Sequence, residues 1–120
     1  MGAKSRRKGA AGELEVVTLA RELGFTRARR LAPMQCGYGQ DYPDVDGVGP
    51  LWIESKRERK VKSLAAYVRE YLAERPGFVP VLAWREDKGE WTATLSLAEL
   101  LKLVAKAYPQ EVPQNAQEGR

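Results

Sequence analysis

The chain contains no histidine. That absence removes Ser-His and Cys-His nucleophilic machinery, histidine-ligated zinc, and every mechanism that carries a proton on imidazole. Cysteine is nearly missing as well. Cys36 alone can make neither an internal disulfide nor a cysteine metal cluster; it fits a reducing compartment and reads as a small loop residue. No run of about 18 apolar residues exists, and the basic start leads into an amphipathic segment, not a signal-peptide core. A soluble intracellular protein with no membrane partner is expected. Any catalysis must use carboxylates, lysine, tyrosine or a carboxylate-bound metal.

At 120 residues, 43% hydrophobic and 30% charged, the chain can build one compact domain with a modest core. That domain is expected over residues 1–107, with a basic N-terminal arm, and residues 108–120 read as a polar, frayed tail. The net charge of +4 is small, but its distribution is not even. Twelve of the twenty basic residues fall in three clusters: Lys4, Arg6, Arg7 and Lys8; Arg27, Arg29 and Arg30; Lys56, Arg57, Arg59, Lys60 and Lys62. Clustering of this kind suits a polyanion. Few aromatics are interleaved, so phosphate contacts are expected to dominate over base stacking.

Val16, Leu19, Ala20 and Leu23 repeat at helical spacing and predict a helix over residues 9–23, stopped by Gly24. Residues 25–31 alternate as a strand, and residues 32–43 read as a loop. Short strands over residues 44–48 and 51–57 flank the turn Gly47-Val48-Gly49-Pro50. Ser63 caps a second helix with Leu64, Tyr67, Val68, Tyr71 and Leu72 on its apolar face, closed by Pro76-Gly77. The apolar run FVPVLAW, residues 78–84, suits a central strand covered on both faces. A last strand over residues 90–95 and a capping box at Ser96 to Glu99, opening a helix to about Ala107, complete the order α-β-β-β-α-β-β-α. The expected class is α/β, a mixed five-stranded sheet flanked by helices.

The stretch YPDVDGVGPLWIESK, residues 42–56, is the chemical centre of the sequence. Strand alternation puts Trp52, Glu54 and Lys56 on one face, about 7 Å between alternate residues. A turn at residues 47–50 brings Asp44 toward Glu54. Two close carboxylates repel unless a cation lies between them, and magnesium, with its preference for oxygen ligands, suits such a pair. Asp46 shares a strand face with Asp44; Asp44 is preferred, and Asp46 reads as a turn-capping residue. Glu13 heads the apolar stripe Val16, Val17 and Ala20, apart from Glu15, Thr18 and Glu22 on the wet side. It reads either as a first-turn glutamate favoured by the helix dipole or as a third acid directed at the metal.

In this order, KGAAGE (residues 8–13), GFTRAR (24–29), PDV (43–45), IESK (53–56) and VPVLAW (79–84) resemble the archaeal-type Holliday junction resolvases of the PD-(D/E)xK nuclease superfamily. The resemblance spans about residues 7–101 and implies a restriction-endonuclease-like core. It further implies metal ligation by Asp44 and Glu54, with Glu13 the helix-borne acid supporting the metal, and Lys56 the catalytic lysine. Arg29 would lie near the scissile phosphate and Lys8 would contact DNA; the clustering of charge, independently of the resemblance, adds Lys4, Arg6, Arg7, Arg27, Arg30, Arg57, Arg59, Lys60 and Lys62 as expected nucleic-acid contacts. The implied activity is that of a magnesium-dependent homodimer, manganese substituting, that cuts two opposed strands of a four-way DNA junction; no small-molecule substrate is implied. The loop APMQCGYGQDY is longer than the family's, and the turn between Asp44 and Glu54 is tighter. Another nuclease of the superfamily, restriction-like or acting on flaps or ends, and a non-catalytic DNA-binding module are the alternative readings. Trp84 and Trp91, with Tyr67, Val68, Tyr71 and Leu72, are the expected material of a dimer interface.

Overall fold

The apolar runs Leu51-Trp52-Ile53 and Val79 to Trp84 lie in two adjacent, parallel strands inside the sheet. In the computed structural model, which describes residues 3–31 and 41–109 with side chains from residue 9 onward, they are β3 (Leu51–Glu58) and β4 (Val79–Glu86), preceded by α1 (Ala3–Glu22), β1 (Arg29–Arg30) and β2 (Val45–Asp46). A parallel pair needs a crossover, and α2 (Leu64–Tyr71) supplies it. Ser63 caps α2 by accepting the Ala66 N–H at 3.2 Å. β5 (Thr92–Thr94) lies antiparallel on the β4 edge and α3 (Leu97–Ala107) follows it. The five strands therefore run β1-β2-β3-β4-β5 across one mixed sheet, with β2 antiparallel to β3 and β1 antiparallel to β2. The class is α/β.

Strand alternation divides the residues between two faces. Val45, Ile53, Val79 and Val81 cluster with Val16 and Val17 of α1, and Leu103 of α3 packs against the same cluster. Trp52 and Leu82, both buried, belong to the opposite face, as does Lys56, whose ammonium lies against Tyr67 and Tyr71 of α2. Gly12 lets α1 lie close on β3: a Cβ there would stand 3.2 Å from Arg57 Cβ. A carboxylate then fastens the helix down. Glu15 accepts hydrogen bonds from Arg57 Nη1, Arg85 Nε and Trp91 Nε1, each at 2.9 Å.

Several boundaries differ from the sequence reading. α1 begins at Ala3, not near Gly9, so the backbone of the basic start is helical; periodicity could not see this turn because apolar spacing appears only where a helix meets a core. Val16 and Val17 take the buried stripe, whereas Leu19 and Leu23 are 44% and 72% exposed. Glu15, expected on the wet side, is the helix's main tie to the sheet. Residues 25–28 form turns instead of strand: the Phe25 N–H bonds back to the Ala20 carbonyl and the Ala28 N–H to that of Phe25. Only Arg29 and Arg30 remain to pair with β2, which is itself confined to Val45 and Asp46, and the last strand is likewise short. Tyr67 and Tyr71 flank Lys56, Trp84 Nε1 bonds Thr94 Oγ1, and Trp91 bonds Glu15, so these aromatics are engaged within the fold. The exposed large apolar side chains instead include Leu97, Leu100, Leu101 and Val104 on α3. Among the described residues no helix is long and apolar enough to cross a membrane. Cys36 and the tail beyond residue 109 lie outside the described residues.

Replacing Glu15 leaves two guanidinium groups and an indole N–H without their shared acceptor. Glu15→Ala is expected to cost about 1–3 kcal/mol in urea unfolding, with the denaturant slope unchanged.

Candidate active site

Asp44 is fixed by two bonds that straddle Glu54. Its backbone N–H donates to the Ile53 carbonyl at 2.9 Å, and its carboxylate Oδ2 accepts the Ser55 N–H at 2.9 Å. The residue between those two anchors is Glu54, so the turn closing β2 onto β3 places the two acids together. Glu54 lies half-buried on the α2 side of β3, where Trp52 Nε1 donates to its Oε1 at 3.1 Å. Burial, and after it the negative charge of Asp44, push the Glu54 carboxyl up to about 7; the Trp52 bond and the charge of Arg75 oppose the rise without cancelling it.

Glu13 approaches from α1. Burial raises its carboxyl above the ordinary glutamate value; the hydrogen bond from Arg30 pulls it down, and the Asp44 charge adds to the rise. Asp44 is thus felt by both glutamates and stands electrically at the centre of the group. The Glu13 Oε1 accepts Arg30 Nε at 2.8 Å. Among the described residues no three carboxylates converge into a ready-made cation cage. The pair that the fold brings together is Asp44 with Glu54, with Glu13 tied back by Arg30.

Lys56 shares the Glu54 face, with its Nζ 3.6 Å from Glu58 Oε1 and 5.6 and 5.7 Å from the ring centroids of Tyr67 and Tyr71. Burial works to lower its pKa, but the Tyr71, Glu58 and Tyr67 oxygens outweigh it and leave it above the ordinary lysine value. The shift favours the ammonium form.

The arginines sort by strand register. Arg29 pairs with Asp46, Nε to Oδ1 at 3.0 Å, so Asp46 is an ion-pair partner of β1 and not a turn cap. Arg30, its neighbour on the strand, points the other way and meets Glu13. Arg30 is therefore the arginine that meets Glu13, while Arg29, expected near the scissile phosphate, is paired with Asp46. Arg57 is turned toward α1 and bonded to Glu15. Arg59, Lys60 and Lys62 are exposed in the connection leaving β3, where the Val61 N–H donates to Glu86 Oε2 at 2.8 Å, and Arg27 is exposed before β1. The side chains of Lys4, Arg6, Arg7 and Lys8 lie outside the described residues. Sequence reasoning missed Trp52 as a donor to Glu54 and Arg75 as a cation near it. The tryptophan was legible in principle, two residues before Glu54 on the same strand face.

The donor set is all oxygen, two carboxylates are held side by side, and the nearest ammonium is committed to Glu58 and two tyrosines. These residues fit a small divalent cation with few protein ligands, the habit of magnesium. Comparisons with protein-family models, curated proteins and solved structures give no significant match, so the functional argument rests on the residues themselves.

A raised carboxyl pKa means that the folded chain holds its proton more tightly than the unfolded one. Below about pH 4.5 both states carry it; as the pH rises through about 7 the unfolded chain gains by ionising first, and metal-free stability falls. The expected loss is about 1–2 kcal/mol, allowing for solvent screening of a half-exposed group. Glu54→Gln abolishes this slope in a pH series of melting curves. If the pair takes a divalent cation, millimolar magnesium is expected to restore stability near pH 8 to the parent chain and not to Asp44→Asn.

Proposed function

We propose that this chain is a magnesium-dependent, structure-selective DNA endonuclease of the restriction-endonuclease-like kind, acting as a homodimer on four-way junctions. The observation that carries the chemistry is the pair of Asp44 hydrogen bonds astride Glu54, which hold two carboxylates together with one of them near pKa 7. The order of motifs from Lys8 to Trp84 supports the choice of junction substrate, and the exposed basic run after β3 supports a polyanion as partner.

Asp44 and Glu54 would hold the cation, with Glu13 near enough to add its charge. When bound, magnesium or manganese supplies Lewis-acid charge for the attack of water on phosphorus. The protein's own groups do the rest. The Ser55 N–H fixes the Asp44 carboxylate so that no reorganisation is needed on binding. Lys56, kept cationic by Tyr71, Glu58 and Tyr67, offers positive charge to the phosphodiester and is unsuited to be a base. Arg30 bridges Glu13 to the sheet edge, where it can exchange that carboxylate for a phosphate oxygen. Arg59, Lys60 and Lys62 follow the strand that carries the site and can track a backbone leaving it. A junction is cut productively in two strands of like polarity, and one chain offers one such site, so two copies are required.

Asp44→Asn and Glu54→Gln are expected to lower magnesium-dependent cleavage by at least about 100-fold while junction affinity stays within a few-fold, since the basic residues are untouched. A panel of four-way, flap, nicked and linear duplex DNAs, with and without magnesium, reads both activity and substrate. Undiminished cutting by both variants removes the assignment of the site; a preference for flaps or ends removes the junction. Sedimentation at micromolar concentration is expected to give about twice 13.4 kDa. A monomer that still makes paired cuts on a junction overturns the dimer.

A further inference from the structure

Between α2 and β4 the chain reads Arg75-Pro76-Gly77-Phe78. The Phe78 N–H donates to the Arg75 carbonyl at 2.9 Å and closes a tight turn. Proline pre-sets the backbone of its first central residue, and Gly77, with φ +84°, occupies the second, the arrangement of a type II turn. Both ends of this turn reach the same indole. The Arg75 guanidinium lies 4.6 Å from the Trp52 ring centroid, and the Phe78 ring meets it edge-on at 5.2 Å and 72°. Trp52 is 3% exposed, and its Nε1–H is the donor to Glu54. On its outer side Arg75 Nη1 is 3.2 Å from Oδ2 of Asp41, three positions before Asp44.

Stability alone is a weak reason for an arginine here. Its Nε–H is buried with no acceptor, which costs free energy, and its Asp41 partner is an exposed carboxylate of little value. An aliphatic side chain could cover the indole without that cost. What the guanidinium adds is a planar, charged lid on the ring whose N–H holds Glu54.

We infer that Arg75 is a positioning residue for Glu54: the turn from Arg75 to Phe78 clamps the Trp52 indole, and the indole fixes the Glu54 carboxylate beside Asp44. The inference rests on the reading of Asp44 and Glu54 as a cation site. In this role Arg75 acts through Trp52; its charge, which also lowers the Glu54 pKa directly, is kept in Arg75→Lys, so that variant separates the two effects.

The test uses the full chain without metal and then with magnesium alone. The Trp52 indole N–H resonance is identified by its loss in Trp52→Phe and by its shift in Glu54→Gln. In Arg75→Ala that resonance is expected to move in the same direction as in Glu54→Gln and to exchange faster with water. The magnesium dissociation constant, read from the shift in melting temperature, rises about tenfold, the size usual for losing a group that orients a ligand. The metal-free melting temperature changes by no more than a few degrees. Arg75→Lys, which keeps the charge but not the plane, recovers only part of the affinity and part of the shift. An unmoved indole resonance in Arg75→Ala overturns the inference, as does a magnesium affinity within twofold of the parent. If the parent chain binds no magnesium, it is the cation-site reading that falls, and the indole resonance still decides whether Arg75 holds Trp52 against Glu54.

Discussion

Glu15 gathers donors from one side chain on β3, one on β4 and one just before β5, and through them a single carboxylate sets how α1 lies across the sheet. The Arg85 hydrogen bond is the largest influence on it and, with Trp91 and Arg57, holds its pKa below the usual glutamate range despite some burial. Each of these pairs is partly exposed and individually modest. Their convergence on one point is what fixes a rotation and a translation of the helix, which dispersed surface pairs could not. Residues two apart on a helix project about 200° apart, so once Glu15 is locked over β3 and β4, Glu13 must leave the helix on its other flank, toward β1. There it finds Arg30 and the charge of Asp44. The placement of Glu15 thus aims Glu13 toward Asp44.

Donor supply divides the acids of this protein into two kinds. Glu15 has three strong donors and stays charged; Asp46 has Arg29. Glu54 is half-buried with one indole N–H, and the nearest large charge is a second carboxylate. A fold that provides arginines freely elsewhere gives this pair few donors, while the partly exposed Lys56 ammonium lies beside Tyr67, Tyr71 and Glu58. Perturbation of that kind is where chemistry is expected, because a carboxyl near pKa 7 either takes a proton or takes a cation under ordinary conditions.

The parts of this arrangement that could be read from the sequence are those governed by local rules. β3 and β4 followed from apolar runs, the two later helices from Ser63 and Ser96, whose hydroxyls accept from Ala66 and Glu99, and Glu13 from its place on the Val16, Val17 stripe. The Asp44 and Glu54 pairing followed from a short turn between them. Glu15 was misplaced because its partners stand 42, 70 and 76 residues away, and nothing in a helical wheel reports them. Which of Arg29 and Arg30 faces the acids depended on a register of two residues, and a slip of one reverses every side chain. Residues 25–28 have a strand's alternation, yet Phe25 bonds back to Ala20 of α1 and Thr26 and Ala28 close local turns to Gly24 and Phe25, a preference that the alternation does not carry. Arg75 was hidden for a similar reason: its partner Trp52 is on another element, and only the turn that follows it brings the two together.

That register is in turn set by one glycine. Gly47 has φ +86°, a conformation costly to any residue with a Cβ, and a Cβ built there would collide with the Arg27 carbonyl. The backbone before β1 therefore lies directly on the turn that joins β2 to β3. The same close approach has two consequences. It ends β2 at once, so that the chain reverses within a few residues and Asp44 is returned to the level of Glu54. It also anchors Arg27, and with it the position of Arg29 opposite Asp46 and Arg30 opposite Val45. A longer or looser turn could still bring two acids together, but it would not fix the neighbouring strand. Here the tight turn makes the Asp44 and Glu54 pair and the Arg30 and Glu13 pair a single construction, so neither can shift without the other.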